Sequence, residues 1–178
     1  MARHAFTTLG ILLLAAAFLS CGNTETSETK SGQSANAPGS DIVAFAANDL
    51  DGYLQSSSQW IGKQPVVVNL WGTWCPPCRK EIPDLVRLYE EYQPKGLEII
   101  GLAVRDTPGQ VRDFAQKNSM NWVMLMADNK VAIKLGATAG VPTTIFFNRD
   151  GEELGRFVGL RSYQDLKKAF EAAMEESE

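Results

Sequence analysis

Short apolar runs that alternate with amphipathic helical stretches predict an α/β sandwich built on a mixed sheet. Three observations carry this. Pro65 to Leu70 (PVVVNL) and Leu97 to Val104 are almost wholly apolar, as strands in the middle of a sheet covered on both faces are. Each is followed by a stretch with apolar residues at helical spacing, the usual connection between parallel strands. Towards the C-terminus two further apolar runs flank Asn148-Arg149-Asp150-Gly151, a hairpin signal that makes the last pair antiparallel.

The chain has 178 residues, enough for one domain and a leader. Residues 1–20 read as a signal peptide. Arg3 and His4 form a short positive region, and Leu9 to Leu19 is an apolar run of 11 residues, too few for a bilayer, which takes about 20. The run closes as Phe18-Leu19-Ser20-Cys21, which resembles a bacterial lipobox with Phe18 where Leu is usual. Cys21 is therefore expected to be the lipidated N-terminus of an extracytoplasmic lipoprotein anchored to a bacterial membrane. Cleavage of an ordinary leader, giving a soluble periplasmic or secreted protein, is the alternative. Residues 21–40 are rich in Ser, Thr, Gly and Asn and are expected to form a disordered tether. Nothing in the net charge of −4 suggests nucleic acid.

The folded domain is expected over residues 41–178. Ile42 to Ala46 and Tyr53-Leu54, separated by Asn48-Asp49-Leu50-Asp51-Gly52, read as a hairpin. After the strand at 65–70, the stretch from Cys75 to Tyr92 places Cys78, Ile82, Leu85, Val86, Tyr89 and Tyr92 on one helical stripe. Pro76 and Pro77 suit a first turn, whereas Pro83 falls inside the helix and should kink it. Thr107-Pro108-Gly109-Gln110 combines a capping box with Pro at the first helical position, opening a helix to Asn118 with Val111, Phe114 and Ala115 inward. Trp122 to Ala127 is a third strand, and Val131 to Leu135 a short helix stopped by Gly136. Thr143 to Phe147 and Leu154 to Phe157 form the antiparallel pair. The last helix opens at Ser162 with Asp165 three residues on and buries Leu166, Ala169, Phe170, Ala173 and Met174.

Trp74-Cys75-Pro76-Pro77-Cys78 lies where a strand ends and a helix begins. Helix-start amides and the macrodipole favour an anion there by about 0.5 to 2 kcal/mol. Lowering a free thiol from roughly 8.5 to about 7 takes some 2 kcal/mol, so this placement alone activates Cys75. Cys75 is read as the attacking thiolate at an exposed helix start and Cys78, one turn on and inward, as the resolving thiol. A zinc site is two ligands short, since lipidated Cys21 is no thiol and the only His, His4, lies in the leader. Covalent haem attachment needs a His after the second cysteine, where Arg79 stands. A purely structural bridge over so short a loop contributes only about 2 kcal/mol. No cofactor is expected.

At these residues the sequence resembles the thioredoxin superfamily, more narrowly its bacterial extracytoplasmic TlpA/ResA/CcmG-like branch. The resemblance covers about Ile42 to Met174 and is most specific over Val66 to Pro83 (VVVNLWGTWCPPCRKEIP). It implies a thioredoxin-like three-layer sandwich with an N-terminal β-hairpin and a helix-and-strand insertion at Thr107 to Ala127. Cys75 and Cys78 match the redox-active disulfide and Pro83 the helix-kinking proline. Gly140-Val141-Pro142-Thr143-Thr144 matches the cis-proline loop, which would set the Val141 backbone beside Cys75, where a substrate segment pairs with it in β fashion. Trp74, Pro76, Val141 and Pro142 are the implied substrate-binding residues. Where thioredoxins carry a buried Asp six residues before the first cysteine, this chain has Asn69, which cannot titrate. The branch places a Glu three residues past the second cysteine, here Glu81, the implied proton carrier, with Asp106 as a second acid near the pair.

The resemblance also implies a monomer that takes electrons from a membrane thiol transporter of the DsbD/CcdA type and reduces protein disulfides such as those of apocytochrome c, a role in cytochrome c biogenesis. Two alternatives stand beside it. A disulfide oxidase or isomerase uses the same pair, because CxxC proteins span about −270 to −120 mV. A copper or haem chaperone would bind through the thiolates, but such proteins pair CxxxC with a distant His, and the mature chain has neither. A peroxidase lacks support, since neither cysteine has Thr three residues before it.

Overall fold

A computed structural model describes residues 44–175. The leader, Cys21, the tether and Ile42 lie outside the described residues. The elements are β1 (Ala46–Asp49), β2 (Leu54–Ser56), β3 (Val66–Trp71), α1 (Pro76–Tyr92), β4 (Glu98–Val104), α2 (Pro108–Lys117), β5 (Val123–Ala127), α3 (Asn129–Lys134), β6 (Thr143–Phe147), β7 (Glu153–Val158) and α4 (Tyr163–Met174). None of these helices is long and apolar enough to cross a membrane.

The strands make one mixed sheet in the order β2-β1-β5-β4-β3-β6-β7. β3, β4 and β5 are parallel neighbours, and β6 runs antiparallel to β3 with Leu70 opposite Thr143. All six residues of β3 are buried, because both faces of the sheet are covered. Val67 and Trp71 enter the core under α1, α2 and α4; Val66, Val68 and Leu70 enter the one shared with α3. Alternation along a pleated strand is what divides them.

Local signals set most boundaries. The Thr107 hydroxyl accepts the Gln110 N–H while the Gln110 side chain accepts the Thr107 N–H, completing the capping box of α2. Ser162 caps α4 through the Asp165 N–H. Leu88, outside the expected stripe of α1, is fully buried, and Val86, on that stripe, only partly. The N-terminal hairpin is shifted from its expected place. Its first strand runs to Asp49, whose carboxylate accepts the Asp51 and Tyr53 N–H groups and so builds the turn after it.

Candidate active site

Cys75 is the N-cap of α1, and its sulfur accepts the Cys78 N–H at 3.2 Å. Pro76 and Pro77 occupy the first turn, where an amide has no helical partner to lose. The two sulfurs are bonded to each other, with a Cα–Cα distance of 5.3 Å. This is the oxidised form of the pair.

Exposure does not separate the two cysteines. Cys75 is 2% and Cys78 1% exposed, which corrects the expectation of an exposed Cys75 beside a buried Cys78. The loop before β6 lies over Cys75: its Val141 carbonyl oxygen is 3.7 Å from Cys75 Sγ, and the Val141–Pro142 bond is cis. Helical periodicity in α1 cannot report a segment arriving from 66 residues along the chain. Around the pair, Trp74 and Pro76 are exposed, Val141 is half-buried and Pro142 is buried.

The end of β4 holds the turn that carries Cys75. Asp106 accepts the Thr73 N–H at 2.8 Å and the Thr73 hydroxyl at 2.6 Å. The Trp74 indole N–H donates to the Val104 carbonyl at 3.0 Å, and the Arg105 guanidinium lies 4.3 Å above the Trp74 ring. A Cβ on Gly72 would stand 2.6 Å from the indole nitrogen, so only glycine lets the ring fold back here. Both Asp106 oxygens are engaged by Thr73, so its observed task is to hold the loop.

Glu81 is buried at 1% exposure rather than sitting as a solvated charge on the helix. Its Oε1 accepts the Arg161 N–H at 3.1 Å, and its Oε2 has no hydrogen-bond partner among the described residues. Burial raises its carboxyl to about 6 and the Asp84 charge adds to this, while the Arg161 N–H, the Arg161 guanidinium and the Thr144 hydroxyl oppose it. Asn69 is also buried and donates to the Thr144 hydroxyl at 2.9 Å across the β3–β6 pair. Thr73, Arg105 and Arg161 had no signal in the local sequence pattern, since each acts on a partner in another element.

Residues 38–152, more than half of the chain, match the AhpC/TSA family. The chain belongs to the AhpC/TSA family. Thiol-disulfide oxidoreductase ResA of Bacillus thuringiensis subsp. konkukian (strain 97-27) is 30% identical over 130 residues, 73% of this chain and 75% of that protein. ResA of Bacillus subtilis (strain 168) is 29% identical over 96% of this chain and 97% of its own length. The crystal structure of a thiol:disulfide interchange protein of the thioredoxin family from Chlorobium tepidum TLS superposes with a TM-score of 0.68 at 29% identity, covering 79% of this chain and all of that one. These likenesses bear out the expected branch and the thioredoxin-like fold. This AhpC/TSA family member is thus an enzyme, a thiol-disulfide oxidoreductase.

Proposed function

We propose that the chain is an extracytoplasmic reductase of protein disulfides, lipid-anchored through Cys21, in which Cys75 attacks and Cys78 resolves. The observation that carries the assignment of roles is the N-cap geometry. The sulfur of Cys75 faces the Cys78 amide at the positive end of α1, which favours its thiolate. The Cys75 thiolate attacks one sulfur of the substrate disulfide, forming a mixed disulfide and releasing the other substrate sulfur as a thiolate. The Cys78 thiolate then attacks Cys75 Sγ, closing the bridge seen here and releasing the second substrate thiolate. Two electrons and, after protonation of both thiolates, two protons reach the substrate. Glu81, a buried acid raised to about 6 with one oxygen unpartnered, supports a role in moving the Cys78 proton.

The Val141 backbone supports pairing with an extended substrate segment, with Trp74, Pro76 and Pro142 around it. The relatives named ResA support the branch, and from the resemblance to that branch the reading extends to a monomer fed by a DsbD/CcdA-type transporter and serving apocytochrome c. The test of direction is the reduction potential, measured by equilibrating the domain with glutathione buffers. A reductase falls nearer the roughly −270 mV of thioredoxin, and a value near about −120 mV would make it an oxidase.

A further inference from the structure

A cleft of about 350 Å³ runs beside the active site, lined by Val104, Ala132, Ile133, Gly140, Val141 and Arg105 among others. It begins at the residue whose carbonyl meets Cys75. Of the described residues that line it, Arg105 alone is charged. Its guanidinium is stacked on Trp74 and has no carboxylate within ion-pair distance among the described residues. The neighbouring acid, Asp106, is engaged by Thr73. Arg105 also has φ +54°, a left-handed conformation that costs a side-chain-bearing residue about 1 kcal/mol or more and that persists where the surroundings impose it. A guanidinium so held presents free planar donors matched to a carboxylate.

We infer that Arg105 is a specificity-determining residue that favours substrate segments carrying Asp or Glu beside the disulfide-bonded cysteine. The inference rests on the proposed reduction of substrate segments paired along Val141. Apolar substrate residues would occupy the Val104, Ala132 and Ile133 side of the cleft, and the acid would meet Arg105 at the Trp74 end. Overall charge works the other way, because a chain of net charge −4 repels acidic substrates at long range. A preference for acid therefore has to arise locally.

The experiment uses three single-cysteine peptides, oxidised to symmetric dimers and identical except for Glu, Gln or Lys on both sides of the cysteine. Their reduction by the dithiol form of the protein is followed chromatographically at low salt. Wild type is expected to reduce the Glu dimer about three- to fivefold faster than the Gln dimer, with the Lys dimer slowest. The preference should shrink in 0.5 M salt, survive in part in Arg105→Lys and vanish in Arg105→Gln. Loss of Trp74 packing alone would slow all three dimers and leave their ratio intact, so a ratio preserved in Arg105→Gln overturns the inference. Equal rates for wild type on the Glu and Gln dimers overturn it while leaving the reductase reading standing. No reduction of any dimer overturns both.

Discussion

Burial sets the behaviour of Glu81 before any partner does. A carboxyl held at 1% exposure favours its protonated form, so its value in the fold lies near 6 against about 4.5 for the free side chain. The sign follows from linkage. Below pH 4.5 the group is protonated in both folded and unfolded chains and costs nothing. As pH rises through 6 the fold has to bury a charge, and stability falls by about 2 kcal/mol relative to a neutral residue. Glu81→Gln keeps an oxygen for the Arg161 N–H and removes the charge. Urea denaturation of the oxidised domain is therefore expected to show Glu81→Gln gaining on wild type by about 1 to 2 kcal/mol between pH 5 and pH 8. A difference that does not change with pH would mean that Glu81 is solvated in the folded protein.

At the scale of elements, β4 has a glycine where its neighbours need room. A Cβ on Gly101 would stand 2.8 Å from Met124 Sδ, 2.9 Å from Trp122 Nε1 and 3.2 Å from Trp71 Nε1. Two buried indoles meet over this one residue of the central sheet. Gly101→Ala is expected to destabilise the domain by about 1 to 3 kcal/mol in thermal or chemical denaturation, as overpacking does. An unchanged midpoint would show that Met124 swings aside at no cost. The elements themselves were largely legible in the sequence. β3, β4, β5 and the caps of α2 and α4 stand within a residue of expectation, because apolar runs and Ser or Thr caps act over a few residues. Features set by distant partners were less legible. The Val141 backbone beside Cys75 was legible only through the family resemblance, and the hydrogen bond that Glu81 accepts from the Arg161 N–H, 80 residues along the chain, was not legible at all. Asp106 was legible as an acid near the pair but not as the acceptor for Thr73.

Across the whole molecule, the topology explains why the site lies where it does. β3 is flanked by parallel β4 and antiparallel β6, so the C-terminal ends of β3 and β4 meet the N-terminal end of β6 at one end of these interior strands. From these three ends come the turn with Cys75, the strap Val104-Arg105-Asp106 and the Val141–Pro142 loop. α1 starts at the same end and directs its first N–H, that of Cys78, at the sulfur. Packing on both faces of the sheet fixes these segments relative to one another, which is what a reaction requiring three sulfurs in line demands. Resolution by Cys78 is the step that separates this account from simple thiol reactivity. Its most direct test is trapping with the full chain in a bacterial membrane fraction, resolved on non-reducing gels with mass spectrometry of the adducts. Cys78→Ser should accumulate mixed disulfides on Cys75 that dithiothreitol releases, and Cys75→Ser should accumulate none. Adducts on Cys78 in the Cys75→Ser protein, with none on Cys75 in Cys78→Ser, would contradict the assignment of attacking and resolving sulfurs.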